Sequence, residues 1–346
     1  MLTTLLALTT TALPTTNLGV PTDWLNFYGD IRMVGETTMD QNTAGEDRTR
    51  GRLRFRLGAL MDLSEELRAE VRLTTTSGDA NNPNWDFGGG DADSQVGADV
   101  AIDRINLSWR ASDSMTLQVG MYGNPFATNP VYGEWSWDSD VQHAGLSGIW
   151  SSEGNLDMDL RLGHTIVDEV NIVDEAGPDP DDTADAQVTS LQVNLGGGEE
   201  ITWGFSTMVS DWSSADAFTA SAEDFLVWDT VVSASQGDLT ASLEFIQNLD
   251  DNSGDDQGMA LGFLFGPAGS QGDSQFSASL FDFDDNAFVA EVGQDKLPLT
   301  GPGSEGFMAG WEYWWQDNVS IKIVGSQSDD GKEEPFRARI DINVTL

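Results

Sequence analysis

Five arginines occupy every second position of one short segment, from Arg48 to Arg56, and apolar residues fill the last gaps. A period of two is the period of a β-strand, so the arginines share one face while Leu53, Phe55 and Leu57 share the other. A strand between lipid and a water-filled lumen accounts for both faces at once. The solvated outer strand of a soluble β-sandwich also accounts for the charge, and this segment alone supports the two interpretations about equally.

Length and composition narrow the choice. The 346 residues suffice for one large barrel or two ordinary domains. No apolar run is long enough for a transmembrane helix, so a membrane-spanning form has to be a closed barrel. The lack of cysteine excludes disulfides and thiolate metal sites. The net charge of -42, from 58 acidic and 16 basic residues, argues against nucleic acid as a partner.

The first residues are set apart from the fold. Segment 2–13 is short, apolar and rich in threonine, which resembles the apolar region of a secretory signal. No lysine or arginine precedes it, and no clear cleavage site of small residues follows it. We expect residues 1–23 to be an atypical or clipped export signal or a flexible N-terminal arm, and residues 24–346 to form one barrel.

From Trp24 onward, alternating segments separated by turn residues predict sixteen antiparallel strands of about ten residues each. An even number places both chain ends at the same rim, as in bacterial single-chain outer-membrane barrels. Tight turns alternate with long connections at 78–99, 123–140, 168–185, 211–222 and 285–305. This asymmetry favours an all-β transmembrane barrel with short periplasmic turns and long external loops.

Aromatic and apolar positions fit the same prediction. Four tryptophans lie near tight turns on the apolar faces of their strands, as in a girdle at one membrane interface: Trp109, Trp150, Trp203 and Trp315. Strict alternation also predicts a lipid-facing set of apolar side chains. Its members are Leu53, Phe55, Leu57, Val71, Leu107, Leu117, Leu160, Leu243, Trp311 and Ile340.

The front of the chain resembles a known family. The run Phe27-Tyr-Gly-Asp-Ile-Arg32 and the segments 48–60 and 66–73 are similar to the opening strands of the putative porins of Gram-negative bacteria. The segment 123–126 is similar too. The final strand, 336–346, resembles the C-terminal strand of outer-membrane proteins but ends in leucine where those usually end in phenylalanine. The resemblance implies passive diffusion of small solutes across the outer membrane, with lipid as partner, and it allows a homotrimer.

The basic residues cluster on the first four strands and the last one. Twelve of the sixteen lie there, and closure of the barrel makes these five strands one contiguous wall. Strand parity directs most of them into the lumen. We predict an arginine wall that lines the pore and consists of Arg32, Arg50, Arg52, Arg54, Arg56, Arg72, Arg104, Arg337 and Arg339.

The acidic partner of this wall is predicted in the segment 124–140, which carries Glu134, Asp138 and Asp140. Folded into the lumen, the segment would form a constriction loop that faces the arginines, and charged walls of this kind set pore selectivity. The residues fit an ordinary external loop equally well, whereas the family resemblance favours the infolded loop. We expect weak selectivity that leans to cations.

Catalytic constellations are nearly absent. The two histidines, His143 and His164, are predicted to face the lumen and the lipid respectively, so they cannot share a site. The acidic runs 179–182 and 250–256 do not match a calcium-loop spacing, and we interpret them as solvated loop tips with weak calcium binding left open. No other cofactor or metal is expected, and the protein is not expected to be an enzyme.

The sequence therefore predicts an outer-membrane porin for small hydrophilic solutes and ions. Two alternatives remain at this point. One is a surface barrel that is not a channel because its lumen is plugged. The other is a secreted acidic β-sandwich that acts as an adhesin or lectin.

Overall fold

The chain forms one closed β-barrel in a computed structural model. The model describes residues 23–40, 47–76, 83–87, 99–154, 156–168, 186–213, 225–251, 254–290, 292–294, 296–299 and 301–346. All regular structure in these ranges is strand. No helix in the described chain is long and apolar enough to cross a membrane. Most of the predicted export signal, the acidic run 179–182 and part of 250–256 lie outside the described residues.

Seventeen strand segments follow one another along the chain. They are β1 (Leu25–Met39), β2 (Arg48–Asp62), β3 (Leu67–Thr76), β4 (Trp85–Phe87), β5 (Asp99–Ser112), β6 (Met115–Tyr122), β7 (His143–Ser152), β8 (Asp157–Asp168), β9 (Ala186–Gly197), β10 (Thr202–Ser213), β11 (Phe225–Gln236), β12 (Leu239–Asn248), β13 (Gln257–Phe265), β14 (Ser274–Phe283), β15 (Ser304–Gln316), β16 (Val319–Asp329) and β17 (Phe336–Thr345).

Sixteen of these strands close the barrel, as predicted. Each pairs antiparallel with its sequence neighbours, β3 pairs with β5, and β17 returns to β1. The closing register runs from Asp30 opposite Thr345 to Met39 opposite Phe336. Closure leaves no strand edge in lipid, where unpaired backbone groups would have no water to bond.

The short strand β4 is the one element that the alternation did not predict. Strand β2 is longer than β3, so its positions 51–53 extend past the pairing between β2 and β3. Strand β4 pairs there with β2, with Trp85 opposite Leu53. It therefore continues the line of β3 and satisfies backbone groups that would otherwise be unpaired.

The two rims differ as expected. Tight connections join β2 to β3, β5 to β6, β7 to β8, β9 to β10, β11 to β12 and β15 to β16, and both ends of the barrel chain lie at that rim. The four girdle tryptophans lie near the same rim and are exposed on the outside. The longest connections emerge at the opposite rim, which includes segments 123–142 and 284–303.

Strand parity separates a polar inside from an apolar outside. On β2, Arg52 is 4% exposed whereas Phe55 is 37% exposed. All ten residues of the predicted lipid-facing set are half-buried or exposed, and none is buried. A soluble β-sandwich would have buried this apolar face in a core, so that alternative is wrong.

Candidate functional site

The first inner loop, 123–142, crosses the interior of the barrel. Its Ala127 N–H donates to Gln192 Oε1 on β9 over 2.7 Å, and its Asn129 Nδ2 donates to Glu244 Oε2 on β12 over 2.7 Å. At its far end Asp140 contacts arginines of β1 and β2. These strands lie far apart around the barrel, so the loop has to pass through the lumen.

Two glycines on the inner face make room for this loop. Phe126 lies over Gly163 of β8, where an added Cβ would stand 2.8 Å from the phenylalanine Cζ. Val131 lies over Gly262 of β13, where an added Cβ would stand 2.7 Å from the valine Cβ. A Cβ at either position would overlap the loop side chain, so only glycine leaves enough room for the loop.

A second inner loop, 284–303, joins β14 to β15 and packs against the first. Phe288, Val289 and Leu297 of this loop are buried. The Asp138 N–H of the first loop donates to the Val292 carbonyl over 2.6 Å. Glu134 forms an ion pair with Lys296. The sequence pattern predicts only a long connection at 285–305, although the apolar side chains of this segment are a signal that it packs inside the molecule.

An apolar cluster fills the interior between these loops and the strands β9 to β14. Trp135, 1% exposed, contacts the rings of Phe281 and Phe283 with centroid distances of 5.1 and 5.2 Å. Trp137 packs on Trp212 at 5.6 Å. The loops are therefore fixed on one side by packing and on the other side by charge.

The arginine wall lies on the inner face of β1, β2, β3, β5 and β17. Its members are buried or half-buried, and Arg32, Arg50, Arg52, Arg54, Arg56, Arg72, Arg104 and Arg339 form ion pairs with carboxylates. Arg337 donates to Thr38 Oγ1 over 3.0 Å and to the Lys296 carbonyl over 3.1 Å. The carboxylates paired with the wall are Asp30, Glu36, Glu70, Asp86, Asp103, Asp140 and Asp341.

Asp140 is the point at which the first inner loop joins the wall. One oxygen, Oδ1, accepts from Arg54 and Arg56 at 2.9 Å each, and Oδ2 lies 3.4 Å from Arg32. Burial alone would raise the pKa of this carboxyl, but the three guanidinium groups outweigh it and hold the pKa of Asp140 well below its usual range.

The geometry differs from the expected one in how the charges face each other. We expected the acidic loop to face the arginines across the lumen, but Asp140 lies in direct contact with them. Glu134 pairs with the second inner loop, and Asp138 accepts the Asp140 N–H over 2.7 Å. Guanidinium groups that lose water need paired anions close by, which explains why the carboxylates lie among the arginines.

Most of the charge of the wall is thereby compensated. Nine guanidinium groups and seven carboxylates leave a formal excess of two positive charges. The long-loop rim has the opposite sign. It carries an open cavity of about 360 Å³, here called the acidic vestibule, whose described lining includes no lysine or arginine. The lining carboxylates are Asp255, Asp282, Asp284, Asp285, Glu305, Asp329 and Asp330. Strand parity places Asp282, Glu305 and Asp329 on the outer side of this rim.

The two histidines lie on opposite faces, as predicted. His143 is buried inside the barrel, stacked on Trp137 at 4.1 Å, and its Nδ1 is 2.9 Å from Thr165 Oγ1. His164 is exposed on the outer face. Among the described residues, no group of three or more His, Cys, Asp or Glu side chains is placed to hold a metal ion. Weak calcium binding by the acidic loops stays a prediction.

A family model described as "putative porin" matches residues 20–163, which confirms the resemblance seen in the opening strands. The match covers β1 to β7 and part of β8, and therefore the arginines of the first strands and the whole first inner loop. No curated protein matches the sequence.

Solved porin structures are similar to the whole barrel. OprB of Pseudomonas putida is 10% identical, with a TM-score of 0.62, over 92% of this chain and 94% of that one. A variant of the Rhodopseudomonas blastica porin is 12% identical, with a TM-score of 0.53, over 93% of this chain and 100% of that one. Identities this low establish the fold alone. Residues 20–163 thus carry the sequence pattern of the putative porin family, and the chain as a whole has the closed sixteen-stranded β-barrel fold of the solved porins.

Proposed function

We propose that the protein is a passive diffusion channel for small hydrophilic solutes and ions in the bacterial outer membrane. An apolar outer band suits lipid, and a charged inner face suits water. The observation that carries the proposal is the first inner loop, which crosses the lumen and is bound to both sides of it. Such a loop narrows a wide barrel to a constriction that sorts solutes by size and charge.

Weak cation selectivity is the second part of the proposal. The arginine wall keeps a formal excess of only two positive charges once its carboxylate partners are counted. The acidic vestibule holds seven carboxylates at the long-loop rim. Charges more than about 8 Å apart are screened at physiological salt, so the vestibule concentrates cations only around that rim. The arginine-lined constriction tempers the preference further in.

One observation favours a second candidate, a surface barrel that does not conduct. Two inner loops and an apolar cluster occupy part of the lumen. A plug would use the same contacts, so permeability decides between the candidates. Assembly as a homotrimer is a separate proposal that the family resemblance supports, and native mass spectrometry of the detergent-solubilised protein tests it.

Liposome swelling with neutral sugars of graded size tests the channel proposal. Purified protein refolded into liposomes should admit small sugars, and the rate should fall as the sugar grows, because a constriction sorts by size. Protein-free liposomes of the same lipid provide the baseline. Liposomes that contain folded barrel, verified by heat-modifiable gel mobility, yet stay impermeable to the smallest sugar would support the plug instead.

A further inference from the structure

Two carboxylates behind the first inner loop take no part in the arginine wall. Asp229 of β11 is 8% exposed and Glu244 of β12 is 3% exposed. The loop covers both, since Ser136 Oγ donates to Asp229 Oδ2 over 2.9 Å and Asn129 Nδ2 donates to Glu244 Oε2 over 2.7 Å. These two bonds satisfy one oxygen of each carboxylate.

One of the two remaining oxygens is unsatisfied. Asp229 Oδ1 is buried and has no hydrogen-bond partner in the described chain. Neither carboxylate forms an ion pair with a described lysine or arginine, whereas Asp30, Asp103 and Asp140 each do. Two buried anions without a cation are strongly unfavourable, so the pair takes up either protons or a positive partner from outside the chain.

A small cavity lies where that partner would bind. It measures about 20 Å³, which is room for one water-sized particle. Asp229 and Glu244 line it together with oxygen-bearing side chains of the first inner loop and of β9 and β10, namely Asn124, Thr128, Asn129, Ser136, Gln192 and Ser206. The ring of potential ligands therefore consists of two carboxylates and neutral amide and hydroxyl oxygens.

Strand register sets the spacing of the two carboxylates. Asp229 lies opposite Ile246, and Glu244 lies opposite Val231, so the two acids are diagonal neighbours on the inner face. Diagonal positions on paired strands are about 7–8 Å apart. That spacing lets both side chains reach one ion between them, because oxygen ligands stand about 2.3–2.6 Å from calcium.

We propose that this cavity binds one hard divalent cation of the calcium class, held by Asp229, Glu244 and oxygens of the first inner loop. Two carboxylates match a double positive charge. Flexible, all-oxygen coordination suits calcium, whereas magnesium requires a rigid octahedron and retains its waters. Zinc prefers nitrogen and sulfur, which this cavity does not offer. The ion would fix the first inner loop to β11 and β12, on the side of the barrel opposite the arginine wall. The proposal holds whether or not the barrel conducts.

Terbium luminescence and thermal unfolding test the site in the purified barrel, folded in detergent and stripped with a chelator. Trp137 lines the same cavity, so a bound Tb³⁺ ion lies close enough to be sensitised by it. We expect saturable emission from a single ion per chain, displaced by Ca²⁺ at far lower concentration than by Mg²⁺. Ca²⁺ should also raise the unfolding temperature. A wild-type protein with neither effect would overturn the proposal.

Variants locate the ion. Asp229→Asn and Glu244→Gln keep the side-chain shape and should each abolish both effects. Asp284→Asn in the acidic vestibule removes the same charge elsewhere and should leave the Ca²⁺-displaceable emission intact. Equal Ca²⁺ effects in wild type and in both inner variants would overturn the assignment. If neither inner variant folds, loss of the wild-type effects in Asp284→Asn would overturn it as well.

Discussion

A guanidinium group inside a barrel loses part of its water, and its neighbours have to replace what it loses. In the arginine wall, carboxylates next to each guanidinium group replace the lost water. Arg54 is bonded to Asp30 and Asp140, and Arg72 is bonded through two nitrogens to Asp103. Fork-shaped pairing of this kind is stronger and more directional than pairing by lysine. The wall is therefore a fixed network of alternating charge and not a row of free cations.

Asp140 is predicted to be the most sensitive carboxylate of this network. Asp140→Asn leaves three arginines without their shared anion, and breaking a buried pair in this way costs about 3–5 kcal/mol. We expect a lower urea midpoint for the barrel in lipid vesicles and faster proteolysis within 123–142. Asp238→Asn, the same change in an exposed tight turn, is the control and should match wild type. Equal stability of the two variants would contradict the anchoring role.

Acid should weaken the same anchor. The pKa of Asp140 is lower in the folded barrel than the ordinary value of 3.8, because three arginines outweigh burial. A lowered folded pKa contributes stability that is fully present above the unfolded pKa and is lost as the pH falls below it. We expect the anchoring contribution to decline below about pH 4, measured as the difference in urea midpoint between wild type and Asp140→Asn. A difference that stays constant into strong acid would contradict this assignment.

The central arginines are predicted to reduce cation selectivity. Replacing Arg52, Arg54 and Arg56 by glutamine removes three positive charges while their carboxylate partners stay. The lumen becomes more negative, so the reversal potential in a salt gradient should shift toward the cation potential. Arg48→Gln at the exposed start of β2 is the control and should shift it little. An unchanged reversal potential in the triple variant at low salt would place these side chains away from the conducting path.

At the scale of the elements, a strand barrel provides the frame and two loops shape its interior. Inner-face glycines decide where a loop can lie, because Gly163 and Gly262 admit Phe126 and Val131. Gly120 has a different role. Its φ of +114° permits a backbone path in β6 where a Cβ would stand 2.3 Å from the Ile105 carbonyl oxygen.

Sequence reasoning recovered the strands but only part of the interior. Alternation reports which face a residue is on, so the sixteen strands, their closure and the outer apolar set could be predicted. Contacts such as that of Asp140 with Arg54 join positions far apart in the chain, and no local pattern encodes them. The second inner loop was missed for the same reason, although Phe288, Val289 and Leu297 make it unusually apolar for an external loop.

Filling one glycine niche should displace the first inner loop without unfolding the barrel. In Gly163→Ala the new methyl would stand 2.8 Å from Phe126 Cζ, so the loop has to move. We expect altered conductance with unchanged heat-modifiable gel mobility. Gly35→Ala adds a methyl to the outer face of β1 at an ordinary 3.5 Å from Ile340 Cγ2 and is the matched control. Identical conductance in both variants would show that Phe126 does not position the loop.

The whole molecule has to satisfy lipid outside and water inside with one chain. Exposed apolar side chains surround the barrel at mid-height, and tryptophans mark the tight-turn rim. The carboxylates of the vestibule lie at the other rim. This arrangement supports an orientation in which the tight turns face the periplasm and the acidic vestibule faces the exterior.

A charge on the outer face should be tolerated only at the rims. Phe55 lies in the middle of β2, so Phe55→Arg should destabilise the barrel by about 2–4 kcal/mol. Met39→Arg at the end of β1 is the control, and the expected loss near an interface is about 0–1 kcal/mol. Denaturant titration in lipid vesicles measures both. Equal losses for the two variants would contradict the assigned membrane position.

Single-channel recording in planar bilayers tests the central claim most directly. Wild-type protein in a potassium chloride gradient should give discrete conductance steps and a small reversal potential of the sign for cation preference. Arginines paired with carboxylates at the constriction and an acidic vestibule at the long-loop rim predict that sign. Folded protein that inserts without conductance steps would contradict the channel, and a strong anion preference would contradict the charge arrangement proposed for it.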